Sequence, residues 1–418
     1  MAPTVRRLES GEELAFIKSV RVPFLEASTG GADDEASDRR HAARIDTQRA
    51  FVVEDRGQFV GNSIVRTMDL TVPSAPGRRC PIVPMGGVSM VGVHPTHRRR
   101  GFLSQMMERM LDDCRSRDEP IAGLIASESI IYGRFGFGLS TDAAVYELEA
   151  SRSAFSRPVP EIQLRVVEKD EATKLLPDLW EQSRTGHAGE PNRTAQFWDD
   201  IFEDRPEERG GAGPLFFVVS DDGYATYRAR ENGSVLMGDF VDVVVEEICS
   251  ANPESEAALW RFVLDLDLVG KVTFRRRRVA EQVRWRMKDP RRLRTLHVFD
   301  RLYVRVLDVR AALEERGYPT EGRLVVDLLP ADAGRDGDPA VGIWSLEAGP
   351  DASECRPAPG AQPDLRMQVT DLGSLYLGGV KASTLAAAGR VEELTAGSLG
   401  VADRLFAADP APFTVTGF

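Results

Sequence analysis

Residues 91–104 read Val91-Gly92-Val93-His94-Pro95-Thr96-His97-Arg98-Arg99-Arg100-Gly101-Phe102-Leu103-Ser104, and the fold follows from this stretch. An apolar run over residues 88–93 stops at Pro95, and apolar side chains recur at helical spacing from Phe102 onward. The pattern predicts a strand, a tight loop and a helix. The start of that helix would offer free backbone N–H groups at the positive end of its dipole, where phosphate groups bind.

The loop in this stretch has the residues that an anion site needs. Gly101 would let an anion approach the backbone without meeting a Cβ atom, and the three arginines could pair with phosphate oxygens. Taken alone, the same residues fit a solvated arginine-rich turn equally well. The spacing Arg98-x-x-Gly101-x-Leu103 after a strand resembles the coenzyme A pyrophosphate loop of GCN5-related N-acetyltransferases. That family usually has Gly or Ala where this chain has Leu103.

A second motif follows another predicted strand, over residues 121–126. The chain continues there with Ser127-Glu128-Ser129-Ile130-Ile131-Tyr132-Gly133-Arg134-Phe135-Gly136-Phe137. Tyr-x-x-x-Gly-Phe after a buried strand resembles the second cofactor element of the same family. The two motifs together predict an α+β acetyltransferase domain over residues 1–150.

The composition limits the possible classes of protein. A length of 418 residues predicts two to four domains, and a net charge of −12 argues against nucleic acid or an acidic membrane surface as the main partner. That charge would instead attract cationic substrates. The N-terminus has no apolar signal core, and no run approaches the ~18 apolar residues that span a bilayer. The four cysteines lie far apart, which predicts reduced thiols in the cytoplasm, and the scattered histidines predict no metal site.

The rest of the chain predicts two further units. Residues 151–160 contain serines and prolines typical of a linker. Residues 151–298 repeat the order helix, strands, helix, but no Arg-x-x-Gly turn precedes the helix that would begin at Pro253. We therefore expect a second acetyltransferase-like fold that lacks a cofactor loop. Residues 299–418 show strands followed by short helices, which predicts a small α+β domain with a loop over residues 351–363.

Two charged segments leave alternatives open. Residues 21–46 are polar and acidic, and they fit a mobile lid over the site as well as a solvated loop or helix. Residues 271–301 are strongly basic, with a run of four arginines at 275–278. They fit a nucleic-acid or anion patch, or a domain junction whose arginines pair with acidic residues or with another subunit. The overall charge favours the junction.

The whole chain is similar to the enhanced intracellular survival (Eis) acetyltransferases of actinobacteria. The matching motifs include residues 95–101, 126–128, 131–136, 311–318, Leu372-Gly373-Ser374-Leu375-Tyr376-Leu377-Gly378 and residues 382–388. The resemblance implies two tandem acetyltransferase folds, a C-terminal sterol-carrier-like domain and a homohexamer. It also implies transfer of an acetyl group from acetyl-CoA to an amine by direct attack. The expected amines are those of aminoglycosides, of polyamine-like compounds or of lysine side chains.

The resemblance also assigns roles to residues. The implied cofactor contacts are Val91, Gly92, Val93, Arg99, Arg100, Gly101, Phe102, Leu103, Ser104, Ser127 and Glu128. Tyr132 matches the proton donor, and a tyrosine with a pKa of about 10 can reprotonate a departing thiolate at neutral pH. Without its motif, Tyr132 would be a packing aromatic residue. Phe24 and Glu26 match positions in the substrate channel.

The proton acceptor must come from a part of the chain outside the strand that precedes the cofactor loop. Residues 81–93 contain no acid and no histidine, so the glutamate that many acetyltransferases place before the cofactor loop is missing. Glu26 and Glu128 are possible bases. In the similar family the C-terminal carboxylate reaches the active site, which implies that Phe418 accepts the amine proton here. The rival interpretations are a non-enzymatic lipid or small-molecule carrier that uses the last domain, and a nucleic-acid-binding regulator that uses residues 271–301.

Overall fold

The computed structural model describes residues 3–26, 32–233, 241–333 and 337–418. Its strands form three mixed sheets, two with seven strands and one with five. The elements of the first 140 residues are β1 Thr4–Arg7, α1 Glu13–Phe24, α2 Ala32–Ala42, β2 Ala50–Asp55, β3 Gln58–Thr71, β4 Ile82–Val93, α3 Phe102–Arg115, β5 Ile121–Ile125, α4 Ser129–Tyr132 and β6 Gly138–Leu139.

The middle of the chain contains eleven further elements in the described ranges. They are β7 Asp142–Glu149, β8 Arg165–Val167, α5 Lys169–Arg184, α6 Ala195–Glu203, β9 Leu215–Val219, β10 Gly223–Glu231, β11 Val241–Ser250, α7 Pro253–Leu264, β12 Val269–Arg277, α8 Val283–Arg286 and β13 Arg294–Asp300. The strand β11 is described from Val241 onward, and residues 234–240 lie outside the described part of the chain.

The last part of the chain forms the five-stranded sheet and the helices that cover it. Its elements are β14 Leu302–Val306, α9 Val309–Glu315, β15 Gly322–Leu329, β16 Gly342–Ala348, β17 Ser353–Pro357, β18 Leu365–Gln368, α10 Val369–Tyr376, α11 Ala382–Ala387, β19 Val391–Glu393 and α12 Ser398–Leu405. The prediction of a continuous loop over residues 351–363 was wrong, because β17 pairs with the free edge of β16.

The two large sheets exchange strands. The first sheet has the order β1-β2-β3-β4-β5-β14-β6, so a strand from beyond residue 300 lies between β5 and β6. The second sheet has the order β13-β7-β12-β11-β10-β9-β8 and takes β7 from the segment expected in the first domain. The sheets thus do not follow the expected segments 1–150, 151–298 and 299–418, which remain predictions as divisions of the chain.

The exchange has a clear physical basis in backbone hydrogen bonds. The chain crosses between the sheets twice, near residues 140–142 and again near 300–302, and the two crossings are antiparallel. The Ser140 N–H donates to the Leu302 carbonyl at 2.9 Å, and the Arg301 N–H donates to the Thr141 carbonyl at 2.9 Å. One antiparallel ladder therefore continues from β6–β14 into β7–β13, and its hydrogen bonds satisfy backbone groups that the crossing would otherwise leave without partners.

The third sheet packs on one face of the first. One continuous apolar core joins Met85 and Ile121 of the first sheet to Leu328 of β15 and Leu375 of α10. Leu302, Val304 and Val306 of β14 belong to this core, and all five residues of the strand are buried. Burial of apolar surface stabilises a fold by roughly 25 cal/mol per Å², so this shared core makes the third sheet and its helices part of the stability of the first sheet.

The basic segment 271–301 forms β12, α8 and β13, and several of its arginines pair with carboxylates. Arg277 is buried and bonds to Glu256 and Glu281, while Arg294 pairs with Glu147 of β7 at 3.0 Å. This arrangement agrees with the predicted charged junction. In the other ambiguous segment, residues 21–24 end α1 and residues 32–42 form α2, which packs on α1. An Arg21–Asp38 ion pair at 2.6 Å joins the two helices.

The position of β14 predicts how truncated chains behave. A chain that ends at residue 298 should lose the cooperative unfolding of the first domain, because β5 and β6 would then have open edges in the middle of a sheet. A chain that ends at residue 308 keeps β14 but also lacks the third domain, and it is the matched control. Thermal unfolding by circular dichroism compares the two. Equal midpoints would show that β14 does not complete the first domain.

Candidate functional site

The central feature of the first sheet is a fork between two parallel strands. Pairing of β4 with β5 begins at Met85–Ile121 and ends at Gly87–Gly123, although β4 continues to Val93. A register shift in the pairing with β3 accompanies this, and Met90 has a φ of 52°. The resulting bulge turns β4 away from β5. On the side that faces β5, residues 88–93 therefore have a backbone edge that no described strand pairs with.

The loop after β4 turns sharply into α3. Arg99 and Gly101 have φ values of 63° and 79°, and Gly101 is the N-cap of the helix. The first helical bond runs from the Gln105 N–H to the Gly101 carbonyl at 3.1 Å. The N–H groups of Phe102, Leu103 and Ser104 precede that bond, and they lie at the positive end of the dipole. A Cβ atom on Gly101 would find nothing closer than 3.8 Å, so the glycine is needed for its positive φ.

The charges of this loop are unevenly paired. Arg98 and Arg99 are exposed, and neither guanidinium has a hydrogen bond or ion pair within the described chain; Arg100 bonds only weakly, to the Thr96 carbonyl at 3.4 Å. His97 instead pairs with Asp55 at 3.0 Å, and this contact lowers the pKa of the aspartate. Free arginines beside free N–H groups fit the two charges of a pyrophosphate. The structure thus brings the predicted loop residues together.

The departure at Leu103 also has an explanation. Its side chain is partly buried and packs against the apolar cluster beneath α3, which includes Met107 and Met110. Phe102 packs on the other side of the helix start, next to Val53 and Met106. Both side chains therefore point into the protein and leave the backbone of the helix start open.

Tyr132 lies at the end of α4 and is buried. It packs in one cluster with Val88 and Leu124, the first residues beyond the fork on β4 and β5. Burial raises the pKa of its hydroxyl above the usual value, and a hydrogen bond with Ser127 partly opposes that shift. The hydroxyl therefore stays protonated well beyond neutral pH. Its position beside both strands of the fork supports the predicted proton donor.

The C-terminal residue reaches the same fork from the other face of the sheet. A Cβ atom built on Gly87 would lie 3.2 Å from Cδ2 of Phe418, so the terminal ring touches the last paired residue of β4. Phe418 also packs beside the core that contains Met68 and Met85. The base of the fork is thus flanked by Tyr132 on one face and by the chain terminus on the other.

The remaining predicted residues surround this centre. Ser127 and Glu128 are exposed in the turn between β5 and α4, and Glu128 is the N-cap of that helix. Phe24 and Glu26 lie at the exposed end of α1. Pro23 of the same helix packs against Gly92, where a Cβ atom would lie only 2.7 Å from the proline ring. The end of α1 is therefore adjacent to β4.

The equivalent position in the second domain is filled. The parallel strands β11 and β12 are paired as far as Val245–Phe274. Beyond that point the Arg277 guanidinium donates to the Ile248 carbonyl at 2.7 Å, and this side chain occupies the gap. The following helix begins with Pro253, which has no N–H group, and the Asn252 side chain caps the Glu254 N–H at 2.8 Å.

The structure also shows residues that the sequence did not single out. Glu190 and Arg301 are buried, and both hydrogen-bond to the backbone just before Phe418. Their partners are more than 100 positions away, and no local pattern marks them. Across the described chain, no group of three or more His, Cys, Asp or Glu side chains is arranged to hold a metal ion. No helix in the same ranges is long and apolar enough to cross a bilayer.

Comparison with protein families divides the chain in three. Residues 4–140 match a family described as an acetyltransferase (GNAT) domain, and residues 189–306 match a second family with the same description. Residues 309–415 match the sterol carrier protein domain. The predicted α+β architecture of two tandem acetyltransferase folds followed by a sterol-carrier-like domain is thereby confirmed.

Individual proteins are similar over most of their length. An uncharacterized N-acetyltransferase of Streptomyces coelicolor is 38% identical over 79% of this chain and 80% of its own. The N-acetyltransferase Eis of Mycobacterium bovis is 31% identical over 87% of this chain and 88% of its own. Among solved structures, Eis1 of Mycobacterium abscessus superimposes with a TM-score of 0.84 at 26% identity, covering 99% of this chain and 100% of that chain.

The geometry of the loop predicts the effect of one substitution. Arg99→Ala should weaken acetyl-CoA binding by about 1.5–3 kcal/mol, because it removes a charge-assisted hydrogen bond to phosphate. Arg109→Ala is the matched control, since Arg109 is exposed on α3 two turns beyond the loop. Isothermal calorimetry measures both dissociation constants and the stoichiometry. An unchanged constant in Arg99→Ala, or two equivalents of cofactor per chain, would contradict the site.

Proposed function

Because the chain belongs to the Eis family of GCN5-related N-acetyltransferases, we propose that it transfers an acetyl group directly from acetyl-CoA to a substrate amine. Enzymes of this fold use acetyl-CoA, which supplies the acetyl group as an activated thioester. The observation that supports direct transfer is the fork, which has a buried tyrosine on one face and the chain terminus on the other. The non-enzymatic carrier and the nucleic-acid-binding regulator have no comparable support.

The cofactor would lie along β4 and α3. The free backbone edge at Val91 and Val93 would pair with the amide groups of pantetheine, and the N–H groups at the start of α3 would hold the pyrophosphate. Arg99 and Arg100 would add charge, and Ser127 and Glu128 would line the opposite wall. One cofactor per chain follows, because Arg277 fills the equivalent gap of the second domain.

Two groups would move protons. The C-terminal carboxylate of Phe418 would accept the proton of the attacking amine, either directly or through a water molecule. Tyr132 would return a proton to the sulfur that leaves. The raised pKa of Tyr132 keeps this donor protonated over the range in which amines react. Holding amine and thioester together at the fork would supply much of the rate.

The substrate class follows from charge and position. A net charge of −12 attracts cations, and Glu26 and Phe24 would form an acidic and aromatic entrance beside β4. We therefore propose aminoglycosides, polyamine-like amines or lysine side chains as acceptors. A panel of such amines, assayed for release of free thiol from acetyl-CoA, tests the proposal. The absence of amine-dependent thiol release from every member of the panel would overturn it.

The assembly and location remain proposals of the same kind. We expect a homohexamer in the cytoplasm, with neither nucleic acid nor membrane as a partner. The surface around Trp285, which is 81% exposed among arginines of the basic segment, is a candidate contact between subunits. A large exposed aromatic residue beside arginines is typical of protein interfaces.

The role of Tyr132 predicts a separation of binding from turnover. Tyr132→Phe should keep the affinity for acetyl-CoA and lose most of kcat, because the ring remains and only the proton is removed. Tyr303→Phe is the matched control, since Tyr303 belongs to the same cluster but bonds to Asp300 at 2.9 Å. Steady-state kinetics at neutral pH measure both. Near-full turnover in Tyr132→Phe would assign this residue to packing.

The proposed role of the terminus predicts that acetylation depends on a free carboxylate group at Phe418. Amidation of Phe418, or a short extension after it, should abolish acetylation while acetyl-CoA still binds, because the carboxylate is lost or displaced from the fork. The same extension at the N-terminus is the control. Turnover and calorimetric binding are measured on each protein. Full activity with the C-terminal extension would contradict the assignment.

A further inference from the structure

The last twelve residues follow an unusual course for a chain end. Residues 407–418 contain no helix and no strand, yet residues 412–416 are buried. They run between the first and second domains and end at the fork. A segment without a strand partner must satisfy its backbone groups by other means, because buried N–H and C=O groups without partners are costly. The contacts that satisfy them show what holds the terminus in place.

Glu190 satisfies two of the backbone N–H groups. Its carboxylate accepts hydrogen bonds from the Val415 N–H at 2.5 Å and from the Thr416 N–H at 3.4 Å. The side chain is completely buried. A carboxylate has two acceptor oxygens and no donor, so it matches two successive N–H groups that point the same way. These groups lie two and three residues before the terminus.

Arg301 takes the carbonyls on the other side of the same segment. Its Nε donates to the Thr414 carbonyl at 3.2 Å and its Nη2 donates to the Val415 carbonyl at 2.8 Å. Arg193 adds a bond from its Nε to the Thr416 hydroxyl at 2.9 Å. Residues 414–416 are thus held through N–H groups, carbonyls and a side chain at once. Both arginines also interact electrostatically with the Glu190 carboxylate.

The loop that carries Glu190 is itself fixed to the catalytic sheet. The Glu190 N–H donates to the Thr71 hydroxyl at 3.0 Å, and the Thr71 N–H donates to the Glu190 carbonyl at 3.0 Å. The Gly189 N–H donates to the Thr71 carbonyl at 2.8 Å, and an ion pair joins Arg184 to Asp69 at 2.9 Å. The same strand, β3, carries Met68, which packs at Gly87 beside Phe418. A short chain of contacts therefore links Glu190 to the fork.

We infer that Glu190 and Arg301 are positioning residues that hold the C-terminal carboxylate at the fork. The inference rests on the proposed function, in which that carboxylate accepts the amine proton. It gives the second acetyltransferase-like domain a role, because the domain supplies Glu190 and Arg193 to the tail. The domain would then serve catalysis as the support of a proton acceptor that belongs to the third domain and acts in the first.

The substitution Glu190→Gln tests the inference with little change in shape. Glutamine would present an NH₂ donor to one of the two backbone N–H groups, so that contact would be lost. We expect kcat to fall at least tenfold while the KM for acetyl-CoA and the calorimetric affinity stay unchanged. Carboxypeptidase should also release phenylalanine from the folded protein several times faster. Glu281→Gln is the matched control, because Glu281 is equally buried in the same domain but does not touch the tail.

A second variant keeps the test valid if Glu190→Gln does not fold. Arg301→Lys keeps the positive charge but cannot bond both carbonyls with a fixed fork of donors, and we expect the same loss of kcat and the same faster release. Thermal unfolding shows whether each variant is folded. Unchanged release of phenylalanine in a folded variant with normal kcat would overturn the inference.

A double-mutant cycle separates positioning from general support of the fold. In a chain that ends at Gly417 the acceptor is already displaced, so Glu190→Gln should lower kcat no further. If the losses of kcat caused by Glu190→Gln and by removal of Phe418 instead multiplied in the double variant, Glu190 would act on something other than the terminus. Full turnover of the chain that ends at Gly417 would overturn the proton-acceptor role and the catalytic part of this inference with it. In that case the rate of phenylalanine release still reports whether Glu190 holds the tail.

Discussion

The early end of the pairing between β4 and β5 is the constraint on which the rest of the structure depends. Two parallel strands that stop exchanging hydrogen bonds at Gly87–Gly123 leave a backbone edge that must be satisfied by something other than a strand. Coenzyme A derivatives carry amide groups that fit such an edge. The bulge at Met90, the arginine-rich turn before α3 and the buried Tyr132 are all arranged around this one opening.

Strands and segments that cross between the three domains hold them together around that opening. The first sheet depends on β14, the second on β7, and the base of the fork is reached by the last residue of the chain. In the second acetyltransferase-like domain, the Arg277 side chain fills the equivalent gap between the parallel strands β11 and β12. The second domain instead contacts the last residues of the chain through Glu190 and Arg193.

The sequence predicted what is encoded locally. The strand, turn and helix around Arg99 and Gly101 were predictable because apolar periodicity, proline and glycine act within a few residues. The insertion of β14 was not predictable, because Leu302–Val306 looks like any short buried strand. No local sequence feature indicates which strands it pairs with. The same holds for Glu190, whose partners Val415 and Thr416 are 225 and 226 positions away. The resemblance to known acetyltransferases supplied the role of the terminus, whereas only the structure shows how it is held.

The insertion of β14 also has a consequence for folding during synthesis on the ribosome. Domains usually fold in order from the N-terminus, but here β5 must wait for a strand that lies about 180 residues further along the chain. At about 5–20 residues per second, that delay lasts roughly 10–35 s. During this time the central edge of the first sheet is open and can pair with other nascent chains. Chaperones that cover such edges would therefore matter more for this protein than its moderate size suggests.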